Sequence, residues 1–225
     1  MPAFDRSLIP IEPDLSFELA LWKAGLTRVA GIDEAGRGAL AGPVAAAVVI
    51  LPPEKRLVEW LRGVRDSKQL SSMQRETARG VILRYAVCWG VGFASSQEID
   101  HMGILPATRL AACRALEELP TSPVHILLDY LFLPEVGIPQ TALIKGDCRS
   151  LSIAAASILA KTARDAQMVE LDWLYPGYGF SVHKGYGTPQ HRGALQQLGP
   201  CLVHRLSFAL YPQAEMPDKH SPVKI

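Results

Sequence analysis

The chain has 225 residues, 48% of them hydrophobic, enough for one main domain with a small appendage. Lys and Arg number 23 against 22 Asp and Glu, so the formal net charge is +1 and no global basic field announces a polyanionic partner. Residues 1–21 mix acids with Arg6 and three prolines, unlike a secretory leader, and no apolar run approaches the roughly 20 residues of a membrane span, so a soluble, cytoplasmic protein with no membrane partner is expected.

In chain order, residues 1–25 form a polar lead-in. A short apolar strand, Val29 to Ile32, then arrives at Asp33 and Glu34, and a glycine-rich turn follows. The β-branched run from Val44 to Leu51 stops at Pro52-Pro53 and predicts a buried second strand. Residues 71–84 have helical composition behind capping serines, and 85–93 alternate as a third strand. Helical spacing of Leu105, Leu110, Leu116 and Leu119 predicts a helix ending before Pro120. A fourth strand, 124–128, delivers Asp129; a fifth, 141–144, leads through Lys145-Gly146 to Asp147. A long helix over 152–170 carries a small-residue face at Ala154, Ala155, Ala156 and Ser157 that permits close packing. Thr188 and Pro189 start a last helix that Gly199-Pro200 stops, and residues 213–225 read as a loose tail.

Four cysteines without a Cys-x-x-Cys pair, and six histidines without a His-x-x-x-His pair, argue against a zinc knuckle, a disulfide framework or a histidine-built metal site. Any metal must therefore be held by oxygen. Adjacent acids such as Asp33 and Glu34 repel one another unless a cation neutralises them. Neighbours on a strand point to opposite faces, so both can serve one centre only if the chain bends immediately after Asp33. Asp129 and Asp147 also follow apolar strands, where convergent ligands are commonly mounted. Oxygen-only ligands select Mg²⁺ or Mn²⁺, and two such ions roughly 3.5–4 Å apart suit phosphodiester hydrolysis. Taken singly, each acid is more readily a turn cap or the first residue of a loop than a catalytic group.

The string Gly31-Ile-Asp-Glu-Ala-Gly-Arg-Gly38, followed by Gly42-Pro43-Val44, closely resembles the signature of type 2 ribonuclease H, the bacterial ribonuclease HII family. Asp66-Ser-Lys-Gln-Leu70, Lys145-Gly-Asp147, the 152–161 block, Arg164-Asp165, His183-Lys-Gly-Tyr186 and His204-Arg-Leu-Ser-Phe208 resemble its later blocks, in its order. The resemblance covers about 26–212. It implies an α/β fold: a ribonuclease H-like mixed five-stranded sheet flanked by helices, with a catalytic domain over 26–172 and a small helical C-terminal part over 173–212.

The resemblance also implies that Asp33, Glu34, Asp129 and Asp147 are catalytic ligands for Mg²⁺ or Mn²⁺. The implied substrates are RNA-DNA hybrid and duplex DNA containing single ribonucleotides, cut on the ribonucleotide's 5′ side by a chain expected to act as a monomer. One departure stands out: Tyr130 follows Asp129 where the family usually has glycine. Asp165 is an alternative fourth acid, although its place inside the long helix favours a surface ion pair.

A protein separates RNA from DNA through the 2′-hydroxyl. Gly36 and Gly38 have no side chain to block a close backbone approach, and Arg37 between them offers a planar fork for a phosphate. Tyr186, in a glycine-flanked loop after Lys184, offers its ring to a sugar while Lys68 and Lys184 face phosphates, and the resemblance assigns Tyr186 to the nucleotide after the scissile bond. Residues 181–205 hold Lys184, Arg192, Arg205 and three histidines with no acid, a stretch that suits a polyanion or an ordinary solvated surface.

Two rivals remain at this stage. Gly36-x-Gly38-x-x-Ala41 after a strand imitates a dinucleotide-binding fingerprint, which requires a helix next; helix or strand at 43–51 decides it. A hybrid-binding module without chemistry is the other, and the four intact acids speak against it.

Overall fold

The computed structural model describes residues 9–211. Five strands form one sheet in the order β3-β2-β1-β4-β5. They are β1 (Val29–Ala35), β2 (Val44–Ile50), β3 (Cys88–Ala94), β4 (His125–Asp129) and β5 (Gln140–Leu143). The first three pair antiparallel, and β4 and β5 extend β1 in parallel. This is the mixed sheet expected from the sequence. A strand at Val44–Ile50 removes the dinucleotide-binding alternative, whose fingerprint needs a helix there.

The helices are α1 (Ser16–Lys23), α2 (Leu57–Trp60), α3 (Ser72–Tyr85), α4 (Ser96–Met102), α5 (Ile104–Glu117), α6 (Leu151–Leu174), α7 (Phe180–His183) and α8 (Pro189–Leu198). Ser71 and Gln74 close a capping box that starts α3, and Thr188 accepts the His191 amide to start α8 behind Pro189. Among the described residues no helix is long and apolar enough to cross a membrane.

Strand alternation divides β2 between two cores. Ala47 and Val49 pack with the alanines of α6, while Ala46, Val48 and Ile50 pack with Ala107, Ala111 and Ala115 of α5. Small residues let α6 come close: a Cβ at Gly31 would lie 2.2 Å from the Ser152 carbonyl carbon. That approach brings the middle of α6 against the C-terminal end of β1, where Asp33 stands.

Two divisions drawn from the sequence differ from the folded chain. The N-terminal lead-in contains α1, whose Glu18 is fully buried and accepts from the Ser150 and Ser152 hydroxyls at the start of α6, so this segment packs on the main body. The polar residues that suggested a lead-in include this anchoring carboxylate. The boundary at 172 falls inside α6, which continues to Leu174. The suggested tail, 213–225, lies outside the described residues.

Candidate active site

The expected bend after Asp33 does not occur. β1 continues to Ala35, with Asp33 opposite Ala47 and Glu34 opposite Ala46. The two acids meet by another route. Pairing of β1 with β4 ends at Ile32 opposite Leu128, so beyond that point the β4-side edge of β1 is open. Asp33 lies on the α6 side and hydrogen-bonds Ser157, and Glu34 alternates away from it, yet both line one cavity of about 430 Å³ at the parted strand ends. Gly36, Arg37, Gly38, Lys68, Asp129 and Tyr186 line the same cavity.

Asp129 ends β4, and its Oδ1 accepts the Gly146 amide at 2.7 Å. Asp147 sits in a one-turn 3₁₀ helix, Gly146–Cys148, entered through Lys145 at φ 58°. It is 2% exposed and close enough to Asp129 to raise its pKa. The electrostatics are those of crowded like charges. Burial, then Glu34 and Asp129, hold Asp33 well above the usual carboxylate range. Burial and Asp147 push Asp129 up to about 6.

Among the described residues, buried Glu34 Oε2 and Asp147 Oδ1 have no hydrogen-bond partner. Orphaned carboxylate oxygens amid mutually repelling acids fit a hard divalent cation, which would satisfy both the lone pairs and the excess charge. A second grouping, Asp66, Asp147 and Cys148, offers ligand atoms within 4.8 Å of one another, but it brings in a thiol and omits Asp33, Glu34 and Asp129. The oxygen-only quartet is the better match for Mg²⁺ or Mn²⁺.

The basic residues are placed unequally. Lys68 Nζ lies 3.5 Å from Asp147 and 3.7 Å from Asp66. Burial opposes its charge, but Asp66, Asp147 and Asp33 outweigh that and raise its pKa. Arg37 reaches Glu34 at 3.0 Å instead of standing free for a phosphate. Lys184 is not in the acid-lined cavity. Its Nζ donates to the Ser181 carbonyl at 2.7 Å, and it lines an adjoining cavity of about 600 Å³. Tyr186 and Lys161 line both cavities, and Lys161 Nζ stands 5.7 Å from the Tyr186 ring centre.

Asp165 is ion-paired with Lys161 at 2.7 Å and Arg75 at 3.7 Å, the helix-surface role preferred for it. The stretch 181–205 is corrected more strongly. His183, His191, His204 and Arg205 are all buried, the histidine rings packing together and bonding inward, so they do not face a polyanion. Charge counting in one dimension cannot tell inward from outward.

The glycines of the turn also separate. A Cβ at Gly36 would lie 1.9 Å from Arg164 Nε, and Gly36 has φ 90°, so this glycine is required by the fold. A Cβ at Gly38 would meet nothing within 4 Å, so packing does not require this glycine. Sequence reasoning missed Ser157, read only as a packing residue, and its partner Ser67, whose hydroxyl lies 3.0 Å from it. It also missed Lys161. All three stand in the quoted family blocks, the one signal that pointed to them.

A family model described as Ribonuclease HII matches residues 30–211. The chain is 53% identical over 194 residues to a ribonuclease HII of Anaeromyxobacter sp., covering 86% of this chain and 60% of the relative's length. It is 49% identical over 198 residues to that of Moorella thermoacetica, covering 88% and 94%. Among solved structures, the Archaeoglobus fulgidus RNase HII, determined in a complex with PCNA, superposes with a TM-score of 0.69 at 27% identity, covering 83% of this chain and 97% of that one.

Proposed function

The chain belongs to the ribonuclease HII family, metal-dependent ribonucleases H, and on that premise we propose that it cleaves the RNA strand of RNA-DNA hybrids and nicks duplex DNA on the 5′ side of a single embedded ribonucleotide. The single observation that carries the reading is the crowding of acids at one cavity: Asp33, Glu34 and Asp129 line it, and buried Asp147 is close enough to Asp33 and Asp129 to raise their pKa values.

These four carboxylates would hold Mg²⁺ or Mn²⁺. When bound, two such cations supply water activation and charge stabilisation on the leaving oxygen, so that hydrolysis yields 3′-hydroxyl and 5′-phosphate ends. The chain's own residues bind and orient. Gly38, with an open approach and no side chain, admits the ribose to backbone contact with its 2′-hydroxyl. Arg37, on the exposed side of its contact with Glu34, offers its planar fork to a phosphate. Tyr186 presents its ring to the sugar after the scissile bond. Lys68 stays at the acid cluster, and Lys184, in the adjoining cavity, serves phosphates farther along the strand.

The test is cleavage of three duplexes side by side: an RNA-DNA hybrid, a DNA duplex with one ribonucleotide, and the all-deoxy duplex. Cutting of the first two alone is expected. Failure to cut either one, with divalent cation present, sinks the reading.

A further inference from the structure

Arg164 and Arg205 are both fully buried, and neither has an ion-paired carboxylate among the described residues. A buried charge without a counter-ion is costly unless other groups solvate it. Here the solvating groups are main-chain carbonyls. Arg205 donates from Nη1 to Arg37 at 2.8 Å, from Nε to Gly42 at 3.0 Å and from Nη2 to Pro43 at 3.0 Å. Arg164 donates from Nε to Pro43 at 2.8 Å, from Nη2 to Ala41 at 3.2 Å and from Nη1 to Lys184 at 2.9 Å. Two guanidiniums thus gather carbonyls of the turn after β1 and of the loop carrying Tyr186. Arg164 also lies 5.4 Å from the Tyr186 ring centre.

The peptide plane gives this a consequence. In a trans peptide the carbonyl of one residue and the N–H of the next point in opposite directions. Drawing the Arg37 carbonyl toward buried Arg205 therefore turns the Gly38 N–H the opposite way, away from that guanidinium, at a residue that lines the acid-lined cavity. Within the described residues that N–H has no partner, whereas Leu40, Ala41 and Gly42 each donate to a carbonyl. Gly185 accepts from both Leu40 and Ala41, which ties the Tyr186 loop to the same turn.

We propose that Arg205, assisted by Arg164, is a positioning residue for ribonucleotide recognition: it holds the Arg37–Gly38 peptide with its N–H turned into the acid-lined cavity, in register with Tyr186. The proposal rests on the reading that backbone groups of this turn contact the 2′-hydroxyl. Arg205 touches no substrate itself. Loss of its fork reorients the donor without altering the acids.

The test uses the full chain carrying Asp33→Asn to silence cleavage, in Mg²⁺. Affinity is measured for a duplex with one ribonucleotide and for the all-deoxy duplex of the same sequence. Adding Arg205→Lys is expected to lower the ratio of the two affinities by about tenfold, the worth of one lost polar contact. A purely structural role would lower stability and leave this ratio unchanged, since both duplexes sample the same folded molecules. A parent without any preference defeats the underlying reading; a parent preference that persists in folded Arg205→Lys overturns this proposal alone. If Arg205→Lys does not fold, amide exchange of the parent decides. The Gly38 N–H should exchange fast in the free chain and become protected with the ribonucleotide duplex only, and protection before the duplex is added overturns the proposal.

Discussion

The Gly146 amide donates to Asp129 Oδ1 at 2.7 Å, so the loop that carries Asp147 is pinned to the acid that ends the neighbouring strand. A Cβ at Gly146 would lie 2.8 Å from Ile153 Cδ1 and 3.3 Å from the Asp129 Cα. Gly146→Ala is therefore expected to push the two acids apart, costing about 1–3 kcal/mol of stability and most of the activity. Thermal denaturation and a cleavage assay check this; a fully active variant of parental stability contradicts it.

Asp33→Asn should lower metal-dependent cleavage by more than about 100-fold, beyond what loss of a supporting residue behind a ligand costs. The fold should survive, because an amide replaces a carboxylate that burial and the neighbouring acids already push toward the neutral form. Circular dichroism and the cleavage rate, taken together, separate lost chemistry from lost structure.

The crowded acids predict an unusual pH dependence without metal. Asp129 in the folded chain titrates at about 6 against an ordinary 3.8, and Asp33 is also raised. At these acids the folded state holds protons that the unfolded chain has released, so their share of stability falls as pH rises from about 4 to about 6, against an opposite gain from buried His191, which burial holds down to about 4. Mg²⁺ should remove this loss by binding the ionised acids. Melting curves of the parent and of Asp129→Asn across that range, with and without Mg²⁺, isolate the acids' share: without metal the parent should lose stability relative to the variant as pH rises, and a parent that holds or gains relative to it contradicts the arrangement.

The two turn glycines should fail differently. Gly38→Ala meets no neighbour and should fold normally but lose preference for ribonucleotide-containing duplex. Gly36→Ala must displace the buried Arg164 and take φ 90°, and should lose about 2 kcal/mol or more. Identical behaviour of the two variants would refute the separation.

Tyr130, where the resemblance leads one to expect glycine, has φ 53° and is 76% exposed. A side chain in that region costs about 1–2 kcal/mol, so Tyr130→Gly should leave stability unchanged or raise it by up to about 1 kcal/mol. A clear loss in the melting temperature would mean that the ring has contacts of its own.

Local chemistry made much of this legible. The β-branched run at 44–50, the Ser71 and Thr188 caps and the apolar strands ending at acids all follow from period, capping and propensity. The parting of β1 from β4 at Ile32 was not legible, because a single strand does not record where its partner diverges, so the convergence of Asp33 and Glu34 was assigned to a bend that is absent. Nor was the inward direction of His183, His191, His204 and Arg205, whose polarity suggested surface while their partners are main-chain carbonyls and one another. Ser157 was hidden for the same reason: its value lies in facing Asp33 from the helix packed on that side of the sheet.

The most direct measurement maps the cut in a DNA duplex carrying one ribonucleotide, incubated with Mg²⁺, with Mn²⁺ and with chelator. The predicted result is a single nick on the 5′ side of the ribonucleotide, with 3′-hydroxyl and 5′-phosphate ends, in metal only. A nick that persists in chelator, or equal cutting of the all-deoxy duplex, would contradict the assignment of Asp33, Glu34, Asp129 and Asp147 as the metal-holding centre of a ribonucleotide-reading enzyme.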